Sequence, residues 1–309
     1  MQTSAIAADN DLASSLRAHA VAELTRAIDY LKWRGARAHE GVHQARKSMR
    51  RVRSTLRLGG TDLGLLSRIL QRAIQRMSRS LSPLRDAQAL VETLDGLIRA
   101  CTSDDERRLL RRARRVAANA RTATMRTVLA NDPGFGSIRA TLESLTAGIQ
   151  ELPWGRVSPD GIRSAIAGSA MAAREAAQRA QVSGDDGDWH RWRRQARRFS
   201  QQEHVLVDLV VLAAARPGGK AVAVLLGKAQ DFTLLRERCD ANSLFSWTDR
   251  LALLALAKNH SSRLRGKIAE VLLLTPAFNA LSDQTGDAFS LPTQRAPHIE
   301  VSAPFRGQP

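Results

Sequence analysis

Residues His43 to Arg57 read His-Gln-Ala-Arg-Lys-Ser-Met-Arg-Arg-Val-Arg-Ser-Thr-Leu-Arg. Wound as an α-helix, they place His43, Arg46, Lys47, Arg50, Arg53 and Arg57 on one face through steps of three and four residues. Val42, Ala45, Met49, Val52 and Leu56 fall on another face, about 120° away. Such a helix buries its apolar stripe against other helices and presents a cationic rail about 21 Å long. No acidic residue interrupts the rail. An ordinary solvated face mixes signs, because like charges three or four residues apart repel. The rail is therefore best accommodated with an anion bound, or with carboxylates supplied by other elements; standing alone, it would read more readily as a solvated basic face.

The pattern recurs. Setting His190 on His43, a shift of 147 residues, brings Arg193 onto Arg46, Arg194 onto Lys47, Arg197 onto Arg50 and Arg198 onto Arg51. The second apolar stripe is Trp189, Trp192, Ala196, Phe199 and Leu206. Downstream of each rail a further pair matches at a shift of 145, Leu81-Ser-Pro-Leu-Arg-Asp86 with Leu226-Gly-Lys-Ala-Gln-Asp231. Two matches at nearly one shift argue for two versions of one helical unit.

With both copies in view, the chain resembles the CHAD domain, the conserved histidine α-helical domain, over roughly residues 8 to 270. The resemblance implies two helical bundles related by a pseudo-twofold axis around a basic central channel that binds inorganic polyphosphate. It carries His43, Arg46, Lys47, Arg50, Arg51 and Arg53 into that channel from the first half, and His190, Arg193, Arg194, Arg197 and Arg198 from the second. Arg57 extends the first rail. Ser200 stands where the first half has Arg53, and Gln230 where it has Arg85, so the second half is expected to hold its ligand through fewer contacts.

Charge agrees with a polyanionic partner. Lys and Arg number 47 against 30 Asp and Glu, for a net charge of +17. Only six of the basic residues are Lys. Guanidinium forks grip phosphate oxygens in two places, although a GC-rich genome would raise Arg equally well. Cys101 and Cys239 are too few for a disulfide framework and too isolated for a zinc site, as expected of thiols in a reducing compartment. The first residues lack a basic region followed by an apolar core, and the run Val205 to Ala215 is too short to span a bilayer of about 30 Å. A cytoplasmic protein, with no membrane association, is the expectation.

Aromatics are scarce, at 4%, and the segments between turns carry helical periodicity, so the expected class is all-α. Helices are expected near 11–33, 61–80, 83–100, 103–130, 135–152, 160–181, 220–238 and 246–274, besides the two rail helices, the second reaching Ala215. Gly35 and Gly41 are read as the turn into the first rail, and Gly59-Gly60 as its end. Asp86 is placed in the first turn of its helix, where the dipole favours a carboxylate; Asp86 and Asp231 are also candidates to pair with rail arginines. Arg72, Arg76 and Arg79, with Arg68 at the same spacing, are candidates for a second cationic wall, and Lys220 and Lys228 are further candidates. The halves divide as 1–152 and 153–274, followed by a tail, 275–309, rich in Pro, Ser, Gln and Gly and expected to be disordered.

Three other chemistries compete. A metal would need a second ligand at three or four residues from His43 or His190, where arginines stand instead. Each His is better read as a donor to phosphate, its pKa raised by the anion, so that binding strengthens below neutral pH. Enzymatic activity would be signalled by a Gly-x-Ser-x-Gly elbow, a Walker loop or the Glu-x-Glu-x-Lys signature of a triphosphatase tunnel; the sequence has none of these, no general acid or base recurs beside the histidines, and no cofactor site is evident. Nucleic-acid binding stays open on composition, but the aromatics of the rail helices lie on the apolar stripes, where bases could not stack. The reading that results is a non-enzymatic binder of inorganic polyphosphate, associated with polyphosphate granules. A basic nucleoid-associated protein is the alternative, and a phosphohydrolase or phosphotransfer protein a third.

Overall fold

The structure is a computed structural model and describes residues 2–209, 219–240 and 243–274, with side chains described from residue 12 to residue 271 within those ranges. The continuation of the second rail helix to Ala215, the turn at 217–218 and the tail 275–309 lie outside the described residues.

The chain is all-α: α1 (Gln2–Leu31), α2 (Ala38–Leu58), α3 (Gly64–Ser80), α4 (Ser82–Ala100), α5 (Asp104–Asn131), α6 (Gly136–Gln150), α7 (Pro159–Ser183), α8 (Asp186–Asp208), α9 (Gly219–Arg238) and α10 (Trp247–Leu274). Local chemistry fixes several of the boundaries. Ser103 accepts from the Glu106 backbone N–H at 3.5 Å and starts α5, whose first turn carries Asp104, Asp105 and Glu106. Asp185 starts α8 by accepting from the N–H groups of Gly187 at 2.7 Å and Asp188 at 3.2 Å. The break at Asn131-Asp-Pro-Gly134 holds, and there the Asp132 carboxylate caps α6 through the Ser137 N–H at 2.9 Å.

Gly41 departs from its expected role. It lies inside α2, not in the turn before it, and a Cβ there would collide with the Tyr30 carbonyl oxygen of α1. The glycine lets two helices approach closely. Asp86 also lies beyond the first turn of α4, which begins at Ser82, so the dipole does not account for it.

Consecutive helices pair as α1 with α2, α4 with α5, α7 with α8 and α9 with α10. Across the halves, α2 packs on α8 and α4 on α9. The buried clusters ignore the division near residue 152. One joins α1 to α7 and includes Phe199, Val205 and Leu206 of α8. Another sets Leu90, Leu94 and Leu110 against Leu235, Leu253 and Ala257. Burying apolar area between the halves ties both rails to one frame.

Candidate functional site: the seam between the rail helices

The apolar stripe of α2 is buried as its spacing requires; Val42, Ala45, Met49, Val52 and Leu56 are at most 1% exposed. On α8, Trp192, Ala196, Phe199 and Leu206 are buried as well. Trp189 is only half-buried, packed against Trp192 and under the Arg265 guanidinium, 4.9 Å from its ring. With those stripes fixed and α2 on α8, the basic faces converge.

Arg46, Arg50, Arg193 and Arg197 meet in this seam; burial lowers all four, and Arg50 feels the charge of the other three. Burial first, then Arg197, Arg46 and Arg193, brings Arg50 down to about 9. Burial and Arg197 bring Arg193 to about 9. Both stay charged at neutral pH, at a cost of several kcal/mol in the unliganded fold. Among the described residues, no acceptor reaches the buried Nε atoms of Arg46, Arg50 and Arg193. At the far end a second group forms: Arg57, brought to about 9 by burial and by Arg198 and Arg53, and Arg53, lowered by burial, Arg198 and Arg79.

Neighbouring helices hold some of these forks. Arg46 donates to the Ser78 carbonyl and, at 2.9 Å, to the Ser82 hydroxyl, so the α3–α4 corner fixes its direction. Arg53 donates to Gln75 of α3 at 3.0 Å. Asp86 and Asp231 face the seam. Burial raises both carboxyls, opposed at Asp86 chiefly by Arg46 and at Asp231 chiefly by Arg193.

His43 sits near Arg85 and Arg50, and its pKa is lowered by burial and then by Arg85. The unliganded direction is thus opposite to the rise expected from a bound anion. His190 has Gln230 at 2.5 Å from Nδ1. The Arg-to-Gln change between the halves therefore gives the second histidine a neutral partner where the first has a cation.

Several expected residues lie elsewhere. Arg51 pairs at 2.8 Å with Glu23 of α1, whose side chain is 1% exposed; it belongs to the structural support behind the rail rather than to the rail. Lys47 and Arg194 are exposed at the edges of their helices, although Arg194 lies close enough to Arg198 to lower it. Of the α3 ladder, only Arg79 comes near the seam, through Arg53; Arg72 and Arg76 are exposed, as are Lys220 and Lys228 on α9. Among the described residues, no ion pair or hydrogen bond joins those four to the seam.

Arg85 was missed as a site residue. It lies within electrostatic reach of His43, Arg46, Arg50, Arg193, Arg197, Asp86 and Asp231. The Leu-Ser-Pro-Leu-Arg-Asp segment was its signal. Ser78, Ser82 and Gln75 left no signal, since a hydroxyl or amide on a helix is not distinctive. Among the described residues, no three His, Cys, Asp or Glu side chains gather as a metal ion would require, and no helix is long and apolar enough to cross a membrane.

Comparison with known proteins supplies the family. The model of the CHAD domain matches residues 19–240. The crystal structure of the CHAD domain from the plant Ricinus communis superimposes with a TM-score of 0.53 at 18% sequence identity, covering 87% of this chain and 90% of that one. At that identity the likeness speaks for the fold. No curated protein matches the sequence. With the duplicated rail helices, the all-α fold and a family match over most of its length, the chain belongs to the CHAD domain family.

Proposed function

We propose that the protein binds inorganic polyphosphate non-covalently along the seam between α2 and α8, without catalysing a reaction. One observation carries the reading: Arg50 and Arg197, matched positions on the two rails, are both largely buried and both lowered, Arg50 by burial and then by Arg197, and Arg197 by burial and by Arg85 against the opposing charge of Asp231. A cluster of desolvated guanidiniums is stabilised by an anion with many oxygens, and a phosphate chain repeats such oxygens at short intervals. Arg46, Arg50, Arg193 and Arg197 would grip the centre of the chain, with Arg85 beside them. Arg53, Arg57 and Arg198 would take its continuation. His43 and His190 would donate to it from the other end.

The pairing of α2 with α8 and of α4 with α9 is the arrangement that a pseudo-twofold relation between the halves would produce. Association with polyphosphate granules belongs to the same proposal, because a granule offers the polymer at high local concentration. The test is a titration with long-chain polyphosphate at physiological salt, with duplex DNA or RNA in excess. Binding should survive the competitor and be lost in the double variant Arg50→Glu, Arg197→Glu at unchanged helix content. Displacement at equal phosphate concentration would hand the site to nucleic acid.

A further inference from the structure

A second cleft lies outside the seam, between the start of α2 and the later turns of α5, with a volume of about 930 Å³. That size is in the range of small-molecule sites. Its walls are of two kinds. Arg121 and Arg126 of α5 bring positive charge, and His39 of α2 stands with them, its pKa lowered by burial and by Arg121. Leu129, Ala36 and Ala130 supply apolar surface beside them, over a floor made by the buried Met125. Among the described residues, the one acidic group of the lining, Glu40, accepts from the Gln44 amide at 2.5 Å and is outnumbered by the two arginines. The lining selects an anion that carries an apolar body, because inorganic phosphate would leave the leucine and alanine surface wet.

The cleft is joined to the seam by consecutive hydrogen bonds. Arg121 donates to the Gln88 carbonyl oxygen at 3.0 Å. The Gln88 amide donates to Glu92 Oε1 at 3.0 Å. Arg85 donates to Glu92 Oε2 at 2.7 Å. Arg85 in turn stands among the arginines of the seam. One glutamine therefore connects a cleft arginine to the carboxylate that holds a seam arginine.

We infer that this cleft is a regulatory site for a small organic phosphomonoester, coupled to the seam through Arg121, Gln88, Glu92 and Arg85. The coupling rests on the polyphosphate reading of the seam; the cleft itself does not. An anion that draws Arg121 away from Gln88 frees the glutamine. Glu92 then gives its charge to Arg85 alone and holds that guanidinium away from the seam. The two ligands oppose each other, and linkage requires the opposition to be mutual.

Hexyl phosphate, inorganic phosphate and hexanol are suitable probes for calorimetry on the full chain. Hexyl phosphate should bind at least tenfold more tightly than inorganic phosphate, and hexanol should not bind. Arg121→Met and, separately, the exposed Arg126→Ala should each weaken hexyl phosphate several-fold. Equal binding of the two phosphates, or insensitivity to both cleft variants, would overturn the site. This arm stands even if the seam binds no polyphosphate.

For the coupling, saturating hexyl phosphate should weaken polyphosphate binding several-fold in the parent and leave it unchanged in Gln88→Leu. No effect in the parent, or the same effect in Gln88→Leu, would overturn the relay.

Discussion

Ser54 of α2 donates its hydroxyl hydrogen to the Gln201 side-chain oxygen of α8 at 3.4 Å, and the two positions are 147 residues apart. The same shift carries His43 onto His190 and Arg50 onto Arg197. Counterparts meet each other only where an axis relating two halves passes between them. The axis proposed for this chain would thus run beside Ser54 and Gln201, one turn along α2 from Arg50. A polymer with equivalent ends suits such a place, because it offers the same oxygens to both helices.

Arg50 is expected to trade stability for binding. Arg50→Met removes a cation that burial and Arg197 have brought down to about 9. Replacing a desolvated charge by an apolar side chain of similar length is often stabilising, by about 1–2 kcal/mol. Thermal unfolding without polyanion should therefore shift upward, and the rise in Tm that polyphosphate gives the parent should shrink. A lower Tm without ligand would show that the arginine contributes to the fold through contacts rather than through charge.

Proton uptake should accompany binding. Unliganded His43 lies below its ordinary value through burial and Arg85, and a phosphate beside it would push it up again. Affinity then rises as pH falls through the window between the two values, by roughly three- to tenfold from pH 8 to pH 5.5. His43→Gln should flatten the profile. The unliganded fold has the opposite sensitivity. His19, His39 and His43 are all lowered, so the unfolded chain takes up protons first and stability falls as pH drops below about 6.5.

Arg51 should matter to the fold more than to the ligand. Its partner Glu23 is 1% exposed, and its other ion pair among the described residues is the longer one with Arg26, at 3.5 Å. Arg51→Ala is expected to cost about 3 kcal/mol in a denaturant titration. Polyphosphate affinity of the remaining folded protein should change less than twofold. A tenfold loss of affinity with little change in stability would return Arg51 to the site.

Gly41→Ala should destabilise by about 1–3 kcal/mol, because the added methyl meets the Tyr30 carbonyl oxygen and, at 3.1 Å, the Trp33 Cβ. Circular dichroism during chemical unfolding would measure it. Gly155→Ala serves as the control, since a Cβ there meets nothing within 4 Å.

The sequence made the rails legible because period and charge coincide: the residues that must be buried leave one face for Arg46, Arg50, Arg193 and Arg197. What it hid depends on distance along the chain. Arg51 reads as part of the basic run until Glu23 arrives from α1 to claim it. Arg72 and Arg76 have the right spacing for a wall, yet on α3 they are exposed, and Arg79, exposed as well, acts on the seam only through its charge on Arg53. Gly41 looks like a turn residue because glycine marks turns and close helix approaches with the same letter. Ser78, Ser82 and Gln75 gain meaning only when the corner of α3 and α4 comes beside the arginines.

The Nε atoms of Arg46, Arg50 and Arg193, without acceptors among the described residues, lie buried at the centre of the seam. Repulsion among buried arginines is relieved by a bound anion, so on the proposed reading whatever enters the seam also consolidates the fold. At a free ligand concentration a hundred times the dissociation constant, that gain is about 2.7 kcal/mol. The lifetime of the folded chain would then follow the supply of polyanion around it, rising in abundance and shortening in scarcity, with no separate sensor required.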